Sequence, residues 1–233
     1  MKISTPSNKF CAENEIFEEV LSLDGQHILE LGCGRADKTR LIATGGEQRQ
    51  VIATEVDETQ HEKNMQITDL PNVTFKIAGC EAIPLADNSI DTVFMFKSLH
   101  HVPPELMEKG LSEIHRVLKP GGLAYISEPV FAGDFNEILR LFHDEQQARE
   151  TAFNVIKKSV ENNLFTLKEQ LFFNTPSDFA NFDEFESRII QVTHTDHEIS
   201  ADVQHQIKQK FMQHMQDDGA HFKNPIRVDL LKK

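Results

Sequence analysis

A single stretch, Gln26 to Thr39 (QHILELGCGRADKT), limits what this chain can become. An apolar run of Ile28, Leu29 and Leu31 carries an acid, Glu30, breaks into Gly32-Cys33-Gly34, and resumes at Ala36 to Thr39 with the pattern of a helix opening. A strand, a glycine turn and a helix start form the first unit of a doubly wound α/β sheet. Ligands of such sheets sit at the carboxyl ends of the strands, where glycine lets the backbone approach them closely. An ordinary βα turn with no ligand fits the same residues, because short glycine motifs recur by chance.

The rest of the first half repeats that rhythm. Phe10, Ile16, Phe17, Val20 and Leu21 recur at helical spacing with Glu13, Glu15, Glu18 and Glu19 between them, so a helix precedes the first strand. Val51 to Thr54 reads as a second strand closing on Glu55, and Asp57 as the N-cap of a polar helix running to about Asp69. Val73 to Ile77 is a third strand, and Ile90 to Phe96 has the apolar run of one buried on both faces. Pro103-Pro104 opens a helix with Leu106, Leu111, Ile114, Val117 and Leu118 on one face, and Lys119-Pro120-Gly121-Gly122 ends it before a fifth strand, Leu123 to Ser127. Strands alternating with helices argue for a parallel sheet with right-handed crossovers.

Beyond Val130 the rhythm changes. Gly133 to Glu161 reads as mostly helical, Pro176 to Arg188 as a helix with proline at its first position, and Ile189 to Thr195 as a strand. Ala201 to Met215 reads as a helix and Phe222 to Leu231 as a closing strand. Phenylalanine is concentrated from Phe131 to Phe185, as the core of a helical lid or the lining of an apolar pocket. The expectation is one domain, 1–233, with 131–188 as a helical lid or insertion.

Charge narrows the partners. A formal charge of -13 repels polyanions, which excludes nucleic acid as the expected substrate. No apolar run is long enough to span a bilayer and the first residues lack a secretory segment, so the expectation is a cytoplasmic protein. Cys11, Cys33 and Cys80 match neither a disulfide framework nor a zinc motif. His143-Asp144-Glu145 holds metal-ligand types but reads more simply as a solvated helical face. His194 and His197 point to opposite faces of a strand, so no metal is expected.

Two nucleotide classes use such a turn. A dinucleotide pyrophosphate wants a third glycine and no facing carboxylate, and here Asp37 stands in the way of an NAD-dependent oxidoreductase. A sulfonium cofactor wants acceptors for its ammonium, an acid for the ribose and an apolar slot for adenine, a pattern that Glu30 and Glu55 suit.

Five segments in order carry a resemblance to one family. They are Glu30-Leu31-Gly32-Cys33-Gly34; Glu55; Cys80-Glu81-Ala82-Ile83-Pro84 followed by Asp87 to Asp91; Leu99-His100-His101; and Arg116 to Gly122. Over about its first 130 residues the chain resembles the class I S-adenosylmethionine-dependent methyltransferases, in the branch of the ubiquinone and menaquinone C-methyltransferases.

The resemblance implies a Rossmann-like, doubly wound, mostly parallel seven-stranded sheet with a helical insertion after strand five. It also implies S-adenosyl-L-methionine as cofactor and methyl transfer to a small-molecule acceptor. Gly32 and Lys97 would offer carbonyls to the methionine ammonium with Glu30 as anchor beside the Gly32-Cys33-Gly34 turn, Glu55 would hold the ribose hydroxyls, and Val56 would pack on adenine. Cys80 would give the adenine ring an N–H with Glu81 beside it, and His101, less so His100, would be the base where the acceptor needs one. Two positions depart from the pattern: Ala36 stands where the family often has its third glycine, and Gly79 where relatives carry an aspartate for the adenine amino group. A non-catalytic cofactor-binding protein is the alternative, and a homodimer is compatible with the chain.

Overall fold

The computed structural model describes residues 1–191 and 199–233. Helix α1 (Glu13–Val20) precedes β1 (His27–Leu31), α2 (Asp37–Thr44), β2 (Gln50–Glu55), α3 (Glu58–Asn64), β3 (Val73–Ile77) and β4 (Ile90–Phe96). A 3-10 turn over Leu99–His101 then leads to α4 (Pro104–Val117) and β5 (Leu118–Pro129). The second half holds α5 (Asp134–Leu139), α6 (Gln146–Glu161), β6 (Thr166–Phe179), α7 (Phe182–Phe185), α8 (Ala201–Met212), the two-residue β7 (Met215–Gln216) and β8 (Gly219–Lys232).

The sheet runs β3-β2-β1-β4-β5-β8-β6, with β7 paired to β8 off that path. The first five strands are parallel, β1 lying between β2 and β4, while β8 runs antiparallel between β5 and β6. The expected mostly parallel, seven-stranded path is therefore present, with β7 as a short addition. Strand alternation sends neighbouring residues to opposite faces. Leu29, Val93 and Ile126 pack on one side with α4 and α6 residues Leu111, Ile114, Ala152 and Ile156. Ile28, Phe94 and Tyr125 pack on the other with Phe17 of α1 and Ile42 of α2. Each such side chain taken out of water stabilises the sheet by about 1.5 to 3 kcal/mol. Asp57 caps α3 as its position suggests, its carboxylate accepting the Gln60 N–H at 3.0 Å.

The second half differs from its sequence reading. Pro176 does not open a helix: it lies in β6, which runs through the expected 131–188 helical region as far as Phe179, and helix resumes only at Phe182. β6 is the edge of the sheet, where a residue without an N–H is tolerated. Ile189 and Ile190 belong to a π-helical turn, Glu186–Ile190, rather than to a strand; the remainder of that expected strand, with His194 and His197, lies outside the described residues. Phe179, Phe182, Phe185, Phe211 and Phe222 form a separate buried cluster with Ile138 and Ile207, so these phenylalanines are core rather than pocket lining. Among the described residues no helix is long and apolar enough to cross a membrane.

Candidate functional site

The carboxyl ends of the adjacent parallel strands β2, β1, β4 and β5 lie side by side along one edge of the sheet. At the end of β1 the chain turns through Gly32 (φ 72) and Gly34 (φ 52), both left-handed. A side chain at Gly32 would also press on Ser98, whose Cβ lies 3.0 Å from where that Cβ would stand. Only glycine meets both demands, the backbone conformation and the close approach to the β4 end. Ala36, at the N-cap of α2, is left-handed as well (φ 64) despite its Cβ.

Glu55, at the end of β2, gathers backbone donors. One oxygen accepts the Gly34 N–H at 2.7 Å; the other accepts the N–H groups of Val56 at 2.8 Å and Asp57 at 3.1 Å. The carboxylate thereby ties the glycine turn to the β2 end. Beside it Val56 is 66% exposed, an apolar side chain left mostly open. Glu30 is fully buried and accepts the Thr39 hydroxyl at 2.6 Å, anchoring β1 to α2. Burial pushes its carboxyl up to about 8, with the Thr39 hydrogen bond and Lys38 opposing.

Cys80 is buried, and burial raises its thiol to about 11. Gly79, without the family's aspartate, lies beneath another acid. The Glu81 carboxylate folds back over it, and one oxygen lies 2.6 Å from where a Cβ on residue 79 would be. An acidic group thus stands where an aspartate side chain would begin, supplied from two positions later.

Lys97, just past β4, is a further left-handed residue (φ 52). Its N–H donates to the Ser127 carbonyl at 2.8 Å, and the Ser98 hydroxyl donates to the Leu31 carbonyl at 3.1 Å. These bonds lock the β4 end against β1 and β5 and hold a conformation that costs about 1 to 2 kcal/mol for a residue with a Cβ. The Lys97 ammonium is lowered from the ordinary lysine range because surrounding protein displaces water.

Of the two adjacent histidines, His100 turns inward and His101 stays exposed. Nδ1 of His100 makes a short hydrogen bond to the fully buried Glu128 carboxylate at the end of β5, whose other oxygen accepts the Leu99 N–H at 3.0 Å. Nε2 of His100 faces Glu145 Oε1 at 3.6 Å, and His143 Nε2 lies 2.8 Å from the same oxygen. Arg149 Nη2 holds the second Glu145 oxygen at 2.6 Å. Burial opposes a charge on His100, but the two carboxylates overcome it and raise the imidazole to about 9. The His101 ring centre lies 4.1 Å from that of His100, tilted by 40°, and its imidazole is lowered by partial loss of water around the ring and by that neighbouring charge. His143 to Glu145 form a loop before α6 rather than a helical face. A cavity of about 130 Å³ lies beside Arg149, lined also by Phe131, Gln146 and Arg227.

Reading the sequence missed Glu128, Arg149 and Glu13. Glu128 carried a usable signal, an acid at a strand's carboxyl end like Glu30 and Glu55, whereas Arg149 carried none. Glu13 lies on the side of α1 read as polar, yet it is buried 3.6 Å from Lys38 Nζ.

The sheet order and the left-handed glycine turn at the β1 end are those of the class I methyltransferase fold. Residues 28–122 match the model of a family described as "Methyltransferase domain". The chain is 33% identical over 138 residues to O-methyltransferase rstn1 of Aspergillus nomiae, covering 56% of this chain and 59% of that protein. It is 33% identical over 116 residues to the ubiquinone/menaquinone biosynthesis C-methyltransferase UbiE of Photorhabdus laumondii, covering 46% and 45%. The chain thus spans about half the length of the curated relatives it matches. The YcgJ protein of Bacillus subtilis superposes with a TM-score of 0.67 at 19% identity, over 94% of this chain and 97% of that one, a likeness of fold. Over residues 28–122 the chain therefore matches a methyltransferase domain, carried on a Rossmann-like α/β fold.

Proposed function

We propose that the protein transfers a methyl group from S-adenosylmethionine to a small-molecule acceptor. The observation that carries this reading is the trio at the β1 and β2 ends: a left-handed glycine turn, a carboxylate bonded to its backbone, and a largely exposed Val56 beside it. That arrangement suits a ribose on Glu55 and an adenine on Val56, while Gly32 and Lys97 supply carbonyls for the ammonium. Cys80 offers its N–H to the adenine ring, and Glu81 takes the adenine amino group in place of the aspartate absent at Gly79. Glu30 serves as the anchor of the strand-turn-helix unit, its carboxyl being spent on Thr39.

When bound, the cofactor supplies a methyl on a sulfonium: the acceptor's lone pair forms the new bond as the carbon–sulfur bond breaks toward sulfur. Holding acceptor and methyl aligned contributes up to roughly 7 to 11 kcal/mol. His101 is the base where the acceptor must lose a proton, its lowered pKa keeping the ring neutral. The region 131–188 covers the acceptor side and sets substrate choice, because function lives in the site grafted on the sheet. The charge of -13 disfavours nucleic acid as acceptor, and three unpaired thiols suit a reducing cytoplasm.

Thermal unfolding tests the cofactor. S-adenosylmethionine or S-adenosylhomocysteine at 100 times the dissociation constant should raise the midpoint by about 5 to 10 °C, with no response to NAD. Glu55→Ala should weaken cofactor binding by ~1.5 to 3 kcal/mol, roughly tenfold to 150-fold, and an unchanged affinity would show that the ribose lies elsewhere. Turnover to S-adenosylhomocysteine across a panel of hydroxyl, amine, thiol and carbon acceptors separates an enzyme from a binding protein.

A further inference from the structure

The network beyond Lys97 does more than position an imidazole. Ligand atoms of His100, His101 and Glu145 all lie within 4.8 Å of one another. They come from two places in the chain, the 3-10 turn after β4 and the loop before α6. The 3.6 Å separation of His100 Nε2 from Glu145 Oε1 is too long for a hydrogen bond. It is close to the edge of a tetrahedral coordination shell, about 3.4 Å for ligands bound at about 2.1 Å. The groups behind these ligands are those a metal centre uses. Glu128, fully buried, accepts the hydrogen of His100 Nδ1 and so turns Nε2 toward Glu145, the arrangement in which an outer carboxylate fixes the tautomer and aim of a ligating imidazole. Arg149 occupies one oxygen of Glu145 and leaves the other facing the histidines. His143 Nε2, 2.8 Å from that same oxygen, stands at the edge of the group.

We infer that His100 Nε2, His101 and Glu145 Oε1 bind a divalent first-row transition ion, with zinc as the best match to two imidazoles and one carboxylate. Two histidines and one carboxylate with a remaining open position is a donor set of catalytic rather than structural metal sites. The ion's function rests on the methyl-transfer reading: its open position takes an oxygen or sulfur of the acceptor and eases loss of that atom's proton to solvent. In that arrangement His101 is a ligand rather than the free base.

The test reads binding, so it fails or succeeds apart from methyl transfer. Metal-free full-length protein is titrated with cobalt(II), followed by visible absorption, and the cobalt is then displaced with zinc. The expected result is one saturable equivalent, with affinity falling roughly tenfold to hundredfold in both His101→Ala and Glu145→Gln. His221→Ala, whose imidazole pairs instead with Asp178 and Asp218, should bind as the parent protein does. Because His101 is exposed, its replacement leaves the fold intact as judged by circular dichroism and carries the test even where Glu145→Gln does not fold. Absence of a saturable equivalent, or wild-type affinity in His101→Ala, overturns the assignment. Calorimetry with S-adenosylmethionine on the same samples keeps the outcomes apart: cofactor binding retained in His101→Ala while cobalt binding is lost supports a separate metal site.

Discussion

The two regions at the carboxyl ends of the strands are built from different material. Around Gly32 to Val56 the polar groups are backbone N–H and C=O, collected by Glu55 and shaped by left-handed turns. Around His100 to Arg149 they are side chains that meet only through the fold, with Glu128 joined to His100, and Glu145 to His143 and Arg149. A backbone-built site is fixed by a few residues close together in sequence and serves any ligand with the same nucleoside. A side-chain network is specific to this chain, and its members have to satisfy one another because the interior offers no water. The nucleoside side should therefore yield locally to substitution, and the acceptor side should fail as a unit.

The largest effect should come from the network. Glu128→Ala leaves His100 and the Leu99 N–H without their partner in the interior, and breaking such a pair costs about 3 to 5 kcal/mol of stability. Urea denaturation measures it. A loss below about 1 kcal/mol would mean that the two sides are equally loose, and the contrast would collapse.

Glu30 offers the next effect, on the backbone-built side. Its carboxyl titrates near 8 when folded, against an ordinary value of 4.5, because burial disfavours its charge. Between those pH values the folded protein keeps a proton that the unfolded chain has released. Its contribution to stability therefore declines as pH rises through that window and levels off above about 8. The full window is worth a few kcal/mol. Glu30→Gln, which cannot ionise, should flatten this slope in denaturation midpoints taken at pH 5, 6.5 and 8; an unchanged slope would place the titration elsewhere.

What was legible from residues alone follows the same division. Gln26 to Gly34, Glu55 and the β1-to-β5 rhythm were readable because local glycine turns and apolar runs dictate them. Which of two neighbouring histidines turns inward was not, since a 3-10 turn and a distant carboxylate decide it. β6 escaped for another reason. Its face pattern is irregular at a sheet edge, a register shift falls between Leu167 and Glu169, and Pro176 imitates a helix start. Glu145 and Arg149 stood in a stretch that looked like any charged helical surface.

A finer break tests the nucleoside side. Glu81→Ala should weaken S-adenosylmethionine binding by about 0.5 to 1.5 kcal/mol, roughly twofold to twelvefold. Adding Gly79→Asp should restore it, since removal of the Glu81 carboxylate clears the space that an aspartate needs, and no positive φ penalises a side chain there. Calorimetry that finds no loss in the single variant would remove Glu81 from the adenine.

The smallest effect isolates backbone from side chain altogether. Ala36 holds φ 64 and ψ 22 at the start of α2, and its side chain makes no capping bond. A left-handed residue with a Cβ costs about 1 to 2 kcal/mol. Replacement by glycine removes that strain but gives back about 0.4 to 1 kcal/mol through the greater freedom of the unfolded chain. Loss of the buried Ala36 methyl gives back a further ~0.8 kcal/mol, so Ala36→Gly should stabilise the protein by at most about 0.8 kcal/mol, a rise of at most about 2 to 3 °C in a domain of this size. Ala36 is buried and its methyl can make no hydrogen bond, so cofactor affinity should hold. A drop in midpoint would show that the methyl group packs more usefully than its conformation costs, and that even the backbone-built side depends on its side chains.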